Sequence, residues 1–254
     1  MKRIIQFLIR KSASAASRVI KLPVAERIAK LSLILWKEIS WGLKPKDGVH
    51  LLTMMYKFLQ EQISFQATRY NKGVHPKHRL MDYHRFFYSR LKPEERVIDI
   101  GSGIGALAYD MAKHGKARVV GMELSPKNLK QAEKEFSHPL VTYILGDALK
   151  SLPNETFDTA VMSNVLEHFK DRVGFLKKAQ AQLRPKRWLL RIPRYDREWL
   201  VPLMDELGID SRLDNTHFIE YTPETLEAEL SQAGLKIKYV ESRWGEFWCE
   251  AIPK

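Results

Sequence analysis

The chain has 254 residues, of which 44% are apolar and 28% charged, so it can build a packed core and is not disordered throughout. A disulfide scaffold is excluded because Cys249 is the only cysteine. The net charge of +12 is uneven: residues 1–46 hold eleven Lys/Arg against two acids, residues 47–96 nine against five, and the remainder is nearly neutral, which suits the basic third to an anionic partner such as a membrane surface or nucleic acid.

No run of 18 apolar residues occurs, so no spanning helix is expected. Met1-Lys2-Arg3 followed by Ile4 to Ile9 is too short an apolar stretch for a secretory signal, and the expected placement is cytoplasmic. Residues 3–21 read as a basic amphipathic helix. Residues 24–43 carry a second stripe, Val24, Ile28, Leu31, Leu35 and Ile39, with Lys30, Lys37 and Lys44 on another side and Trp36 and Trp41 added. Such helices suit a membrane interface, so residues 1–44 are a candidate for an anionic membrane surface, on the inner face of a membrane. Simple packing on the main domain is the competing reading. A turn is expected at Lys44 to Gly48, a helix over 49–68, a basic loop at Tyr70 to Arg79, and a helix over 79–91.

From residue 95 the pattern becomes alternating strand and helix. Strands are expected at 96–100, 118–123, 140–145, 157–162, 187–192, 235–241 and 246–252. Helices are expected at 104–114, 126–136, 170–183 and 223–233. This predicts an α/β domain over 95–254, a Rossmann-like doubly wound sheet, behind a helical N-terminal extension over 1–94. The last two strands are too close in sequence for a parallel crossover, so the final strand must be antiparallel.

The informative stretch is Val97-Ile98-Asp99-Ile100-Gly101-Ser102-Gly103-Ile104-Gly105-Ala106. An apolar strand runs into glycines that permit a tight turn and close approach of a ligand. The glycines alone also fit a dinucleotide fingerprint. Asp99 separates the readings, because a carboxylate is unhelpful beside a pyrophosphate and useful beside a ligand with an ammonium and a sulfonium. Glu123 ends the second strand, Gly146-Asp147-Ala148 follows the third, and Asn164-Val165-Leu166-Glu167-His168 follows the fourth.

In these four motifs the chain resembles the class I S-adenosylmethionine-dependent methyltransferases, in particular the small-molecule branch that includes the ubiquinone-biosynthesis O-methyltransferases. The resemblance covers residues 95–254. It implies S-adenosylmethionine as cofactor, held by Asp99, Gly101, Ser102, Gly103 and Gly105, by Glu123 and Leu124 at the ribose, and by Asp147, Ala148 and Asn164. It implies an in-line displacement in which the protein aligns donor and acceptor, and a general base where the acceptor is a hydroxyl. His168 and His217 are the candidate bases, with loop hydrogen bonding as the alternative for each. His75-Pro76-Lys77-His78-Arg79, with Tyr83 and His84, is a candidate lid able to hold a phosphate or carboxylate, with a solvated basic loop as the alternative. Arg191, Arg194, Tyr195 and Arg197 follow strand five, where acceptor specificity is expected, with surface ion pairs as the alternative.

Adenine and cytosine base methylation are set aside, because no Asn/Asp-Pro-Pro-Tyr follows strand four and Cys249 lies on the last strand. No His/Cys/carboxylate group has metal-ligand spacing, so no metal is expected. The expected acceptor is a small molecule, lipid or glycan, methylated on oxygen at a membrane surface. An RNA or protein methyltransferase and a non-catalytic cofactor-binding adaptor are the alternatives.

Overall fold

The structure, a computed structural model of the chain, describes residues 21–254. The helix expected over 3–21 lies almost entirely outside the described residues. The chain divides into two compact units, one ending at Ile63 and one comprising Ser64–Lys254.

The first unit contains α1 (Leu22–Gly42) and most of α2 (Pro45–Tyr70). The turn expected at Lys44 to Gly48 is mostly the first turn of α2, since proline at a helix start needs no amide partner. Gly48 lies against Ser40, where an added Cβ would come within 2.7 Å of the Ser40 carbonyl oxygen. Elsewhere α1 is almost bare: Leu22, Leu31 and Trp41 are 71%, 69% and 81% exposed. Among the described residues, no helix is long and apolar enough to cross a membrane.

The second unit begins with two short helices, α3 (Lys77–Met81) and α4 (Tyr83–Tyr88). The single helix expected over 79–91 is broken at Asp82, which adopts a left-handed conformation with φ of 50°. The expected boundary at residue 94 also moves. Tyr83, Phe86 and Phe87 are buried in one cluster with Val97, Leu107 and Trp248, so this segment belongs to the second unit's core.

The sheet has seven strands: β1 (Arg96–Ile100), β2 (Arg118–Glu123), β3 (Val141–Leu145), β4 (Thr159–Ser163), β5 (Arg187–Pro193), β6 (Leu235–Arg243) and β7 (Glu246–Pro253). Their order is β3-β2-β1-β4-β5-β7-β6. The first five are parallel, and β7 is antiparallel to both β5 and β6, as the short β6–β7 connection requires. The intervening helices are α5 (Ala106–Gly115), α6 (Pro126–Glu135), α7 (Arg172–Leu183), α8 (Leu200–Glu206) and α9 (Pro223–Gln232).

Alternation along the strands feeds two cores. Ile98, Ile100, Met162, Trp188 and Leu190 pack on one face with residues of α7 and α9. Val97, Val161 and Leu189 pack on the other with residues of α4 and α5. Cys249, on β7, is completely buried between these layers. Asp99 shares the parity of Val97 and so belongs to the α5 face, at the carboxyl end of β1.

Candidate functional site

The loop after β1 is fixed from both sides. Gly101 and Ser102 donate their amides to the Met122 carbonyl at 2.8 and 3.0 Å. Glu123, at the end of β2, accepts from the Gly103 amide at 2.9 Å through Oε2 and from the Ser125 amide at 2.9 Å through Oε1. Gly101 and Gly105 have φ of 75° and 85°, a conformation that favours glycine. A Cβ at Gly101 would come within 2.6 Å of Val165, and one at Gly105 within 2.8 Å of Ala132. The loop is therefore closed to larger side chains where it turns, and its inner surface is left for a ligand.

That surface opens on a cavity of about 230 Å³ lined by Asp99, Ser102, Gly103, Asn164, Lys77 and Arg191. Asp99 is 1% exposed. Its Oδ2 and the Ser102 hydroxyl are buried with no hydrogen-bond partner among the described residues. Burial first, and the neighbouring Glu123 charge second, push the Asp99 carboxyl up to about 7. Orphaned acceptors beside a glycine cradle fit a ligand that brings its own donors and a positive charge. Asn164, with φ of 56°, donates its amide to the Arg191 carbonyl at 2.7 Å.

The cofactor residues expected from sequence surround this end of the sheet. Leu124 is exposed just after β2, and Asp147 follows β3, where its Oδ1 accepts from the Leu149 amide at 3.0 Å. Ala148 packs at the edge of the core. A larger hollow of about 470 Å³ lies at the opposite, amino ends of β1, β4 and β5 and is lined by paired charges such as Glu95 and Arg187. Ligands of open α/β sheets gather beyond the carboxyl ends of the strands, so the cavity at Asp99 is the candidate site.

The candidate lid contributes Lys77 and His78 to the cavity wall. Burial and the Arg191 charge lower the Lys77 pKa. The Arg191 guanidinium makes two hydrogen bonds to Glu246, at 2.6 and 3.0 Å, and stacks 3.7 Å from the Tyr83 ring. Arg194 pairs with Asp196, and Arg197 with Glu220, so the arginines after β5 tie their own loop together.

His168 and His217 do not line this cavity. They sit on a neighbouring loop pair, with ring centroids 4.7 Å apart. Thr216 Oγ1 is 2.6 Å from Asp214 and 2.9 Å from His168 Nδ1, and the carboxylate must be the acceptor in the first contact. The threonine therefore accepts from His168 Nδ1–H. His217 Nδ1 lies 3.0 Å from Glu220 Oε1 and donates there. Both Nε2 lone pairs are thus left available. Glu167 is completely buried, and both its carboxyl oxygens lack a partner among the described residues. Burial raises its pKa to about 7. His217 Nε2 is 4.0 Å from Glu167 Oε1.

Glu167, His168 and His217 bring one ligand atom each within 4.8 Å of one another. The expectation that no group has metal-ligand spacing is corrected in this respect. Glu167 and His168 are neighbours in sequence, and the fold brings the distant His217 to them. Such a trio can hold a divalent cation or share a proton.

With this geometry in place, comparison with known proteins is informative. A family model described as a methyltransferase domain matches residues 70–240. The ubiquinone biosynthesis O-methyltransferase of Bradyrhizobium diazoefficiens is 33% identical over 106 residues, 41% of each chain. The cyclopropane-fatty-acyl-phospholipid synthase of Escherichia coli K12 is 39% identical over 79 residues, 31% of this chain and 20% of that one. The matched region thus spans about two-fifths of the first relative's length. Among solved structures, magnesium protoporphyrin IX methyltransferase from Synechocystis with bound S-adenosylhomocysteine has a TM-score of 0.51 at 18% identity, covering 64% of this chain and 75% of that one. At that identity the likeness is one of fold.

Proposed function

Because the chain belongs to the S-adenosylmethionine-dependent methyltransferases, with their domain over residues 70–240, we propose that it methylates a hydroxyl of a small-molecule, lipid or glycan acceptor at a membrane surface. The observation that carries the cofactor assignment is the orphaned, buried carboxylate of Asp99 facing the glycine loop. S-adenosylmethionine, when bound, supplies an electrophilic methyl group on a positively charged sulfur.

Asp99 accepts from the ligand's ammonium group, and the turn at Gly101, Ser102, Gly103 and Gly105 brings the backbone close to it. Glu123 and Leu124 take the ribose side, Asp147 and Ala148 the adenine side, and Asn164 borders the reacting end. Lys77 faces a carboxylate. His168 and His217, with free Nε2 lone pairs, stand on the neighbouring loop pair outside the cavity wall. The relatives named for ubiquinone biosynthesis and for phospholipid modification support a lipid-like acceptor.

The membrane assignment rests on α1, whose apolar residues are exposed while Lys30 and Lys37 add positive charge. The location that goes with this reading is the cytoplasm, peripheral on the inner face of a membrane. Two measurements test the reading. Methyl-labelled S-adenosylmethionine, incubated with the protein and a fractionated lysate, should label lipid or another hydroxyl compound. Label confined to RNA or protein would overturn the acceptor class, and cofactor binding without any label would favour an adaptor. Deletion of residues 1–44, or Trp41→Asp in the full chain, should reduce sedimentation with anionic liposomes while leaving cofactor affinity unchanged. Equal sedimentation would remove the membrane from the proposal.

A further inference from the structure

His78 belongs to two cavities. One is the glycine-loop cavity with Asp99. The other, of about 430 Å³, is also lined by His84, Asp110 and His114. Between them runs a continuous set of contacts. His78 Nδ1 lies 3.1 Å from His84 Nε2, and His84 Nδ1 lies 2.6 Å from Asp110 Oδ2. Asp110 Oδ1 is 3.8 Å from His114 Nε2. Exposure rises outward along this series, with side-chain values of 8% for His84, 30% for Asp110 and 48% for His114.

We propose that His78, His84 and Asp110 form a proton-release path, in which His78 takes the acceptor's hydroxyl proton and His84, held by Asp110, takes a proton from His78 and passes it toward solvent. This rests on the methyltransferase reading. Replacing an O–H by O–CH3 leaves one proton to be removed at every turnover, while the positive sulfur becomes a neutral thioether. No oxidant or further reactant is needed.

The proposed direction follows from one assignment of the ring protons. The Asp110 carboxylate only accepts, so His84 Nδ1 carries a proton. A neutral His84 then offers the Nε2 lone pair, which accepts from His78 Nδ1–H. His78 keeps its own Nε2 lone pair for the acceptor. Proton uptake at His78 Nε2 releases the Nδ1 proton to His84 Nε2. The result is a neutral His78 and a charged His84 beside Asp110. His84 Nε2–H then donates back to the vacated Nδ1 lone pair, and Tyr83 Oη lies 2.8 Å from the same atom.

The surrounding charges explain why two imidazoles are used. His75 and Lys77 on its own segment, His84 on α4 and Arg191 on β5 all oppose a charge on His78, and with burial as the largest cause its pKa falls to about 4. A proton left on His78 is therefore poorly held. His84 has a carboxylate in contact, which stabilises the imidazolium. His168 and His217 do not border the glycine-loop cavity, whereas His78 does.

Nitrogen-detected NMR of the histidine rings in the full chain tests the arrangement directly. At pH 7 the expected result is a proton on His84 Nδ1 and on His78 Nδ1. A proton absent from His84 Nδ1 or from His78 Nδ1 would overturn the proposal. The second readout uses catechol as a hydroxyl probe with methyl-labelled S-adenosylmethionine. His84→Gln and the milder Asp110→Asn should lower kcat by roughly a hundredfold and tenfold, with cofactor KM unchanged and the acidic limb of the pH profile displaced. Unchanged kcat and pH profile in both variants would also overturn it. If the wild-type chain transfers no label to catechol, the NMR result alone decides the path. If calorimetry shows no cofactor binding, the methyltransferase reading fails separately.

Discussion

The Gly103 amide donates to Glu123 Oε2 at 2.9 Å, so the loop after β1 is held in place by the carboxylate that ends β2. The other oxygen, Oε1, accepts from Ser125. A carboxamide retains only one acceptor oxygen and adds donors that face amides. Glu123→Gln should therefore loosen the loop and weaken S-adenosylmethionine binding by about ten- to a hundredfold, the range for a lost hydrogen bond to a charged group. Calorimetry checks this, and wild-type affinity would exclude the anchoring role.

Asp99 and Glu167 both have pKa values raised to about 7, with burial as the largest cause. An unfolded chain releases these protons near pH 4. The ligand-free protein should therefore lose stability as pH rises from about 4 through 7, and change little from these groups above that. Asp99→Asn keeps a neutral group in place and should melt roughly several degrees higher than wild type at pH 8. In wild type, S-adenosylmethionine binding should strengthen as pH rises through 7, because the carboxylate that accepts the ammonium forms there. Scanning calorimetry at pH 5, 7 and 9, with and without S-adenosylmethionine, separates the two effects.

Gly105 has φ of 85° and sits under Ala132 and Tyr143. Gly105→Ala combines a strained backbone with a contact of 2.8 Å to a Cβ on α6. A loss of about 1–3 kcal/mol is expected from chemical denaturation. An unaltered midpoint would mean that the loop can move away from β3 and α6.

Arg191 and Glu246 form a nearly buried ion pair, with side-chain exposures of 3% and 11%. Removing one member leaves the other charge without compensation. Glu246→Gln should cost about 3–5 kcal/mol in equilibrium unfolding. The double replacement Arg191→Met with Glu246→Gln should cost less than the single one, and a larger loss in the double variant would contradict this account.

Much of the fold is legible in the sequence because its strands are continuous apolar runs ending in punctuation. β1 and β2 occupy the expected 96–100 and 118–123. β4 starts two residues later than expected, at Thr159, because the Phe157 and Asp158 amides donate to Leu183 and Arg96 carbonyls outside the ladder. The break at Asp82 is invisible to periodicity, since the apolar spacing runs through it while the backbone does not. The glycine loop and its carboxylates are readable because they are local. The Glu167–His168–His217 group and the His78–His84–Asp110 series are not, because tertiary contacts join segments far apart in sequence.

Cys249 gives the protein a built-in clock. Its thiol is completely buried on β7, between β5 and β6, and burial raises its pKa to about 12. A thiol reagent can reach it only when the core packed over β7 opens, and reacts far faster with the thiolate that forms in solvent. The rate of single-site alkylation therefore counts openings of the β5–β7–β6 end of the sheet and the helices packed on it, and its dependence on reagent concentration separates how often this region opens from how long it stays open. Ligands that tighten the far end of the sheet can then be ranked by how much they slow one covalent event.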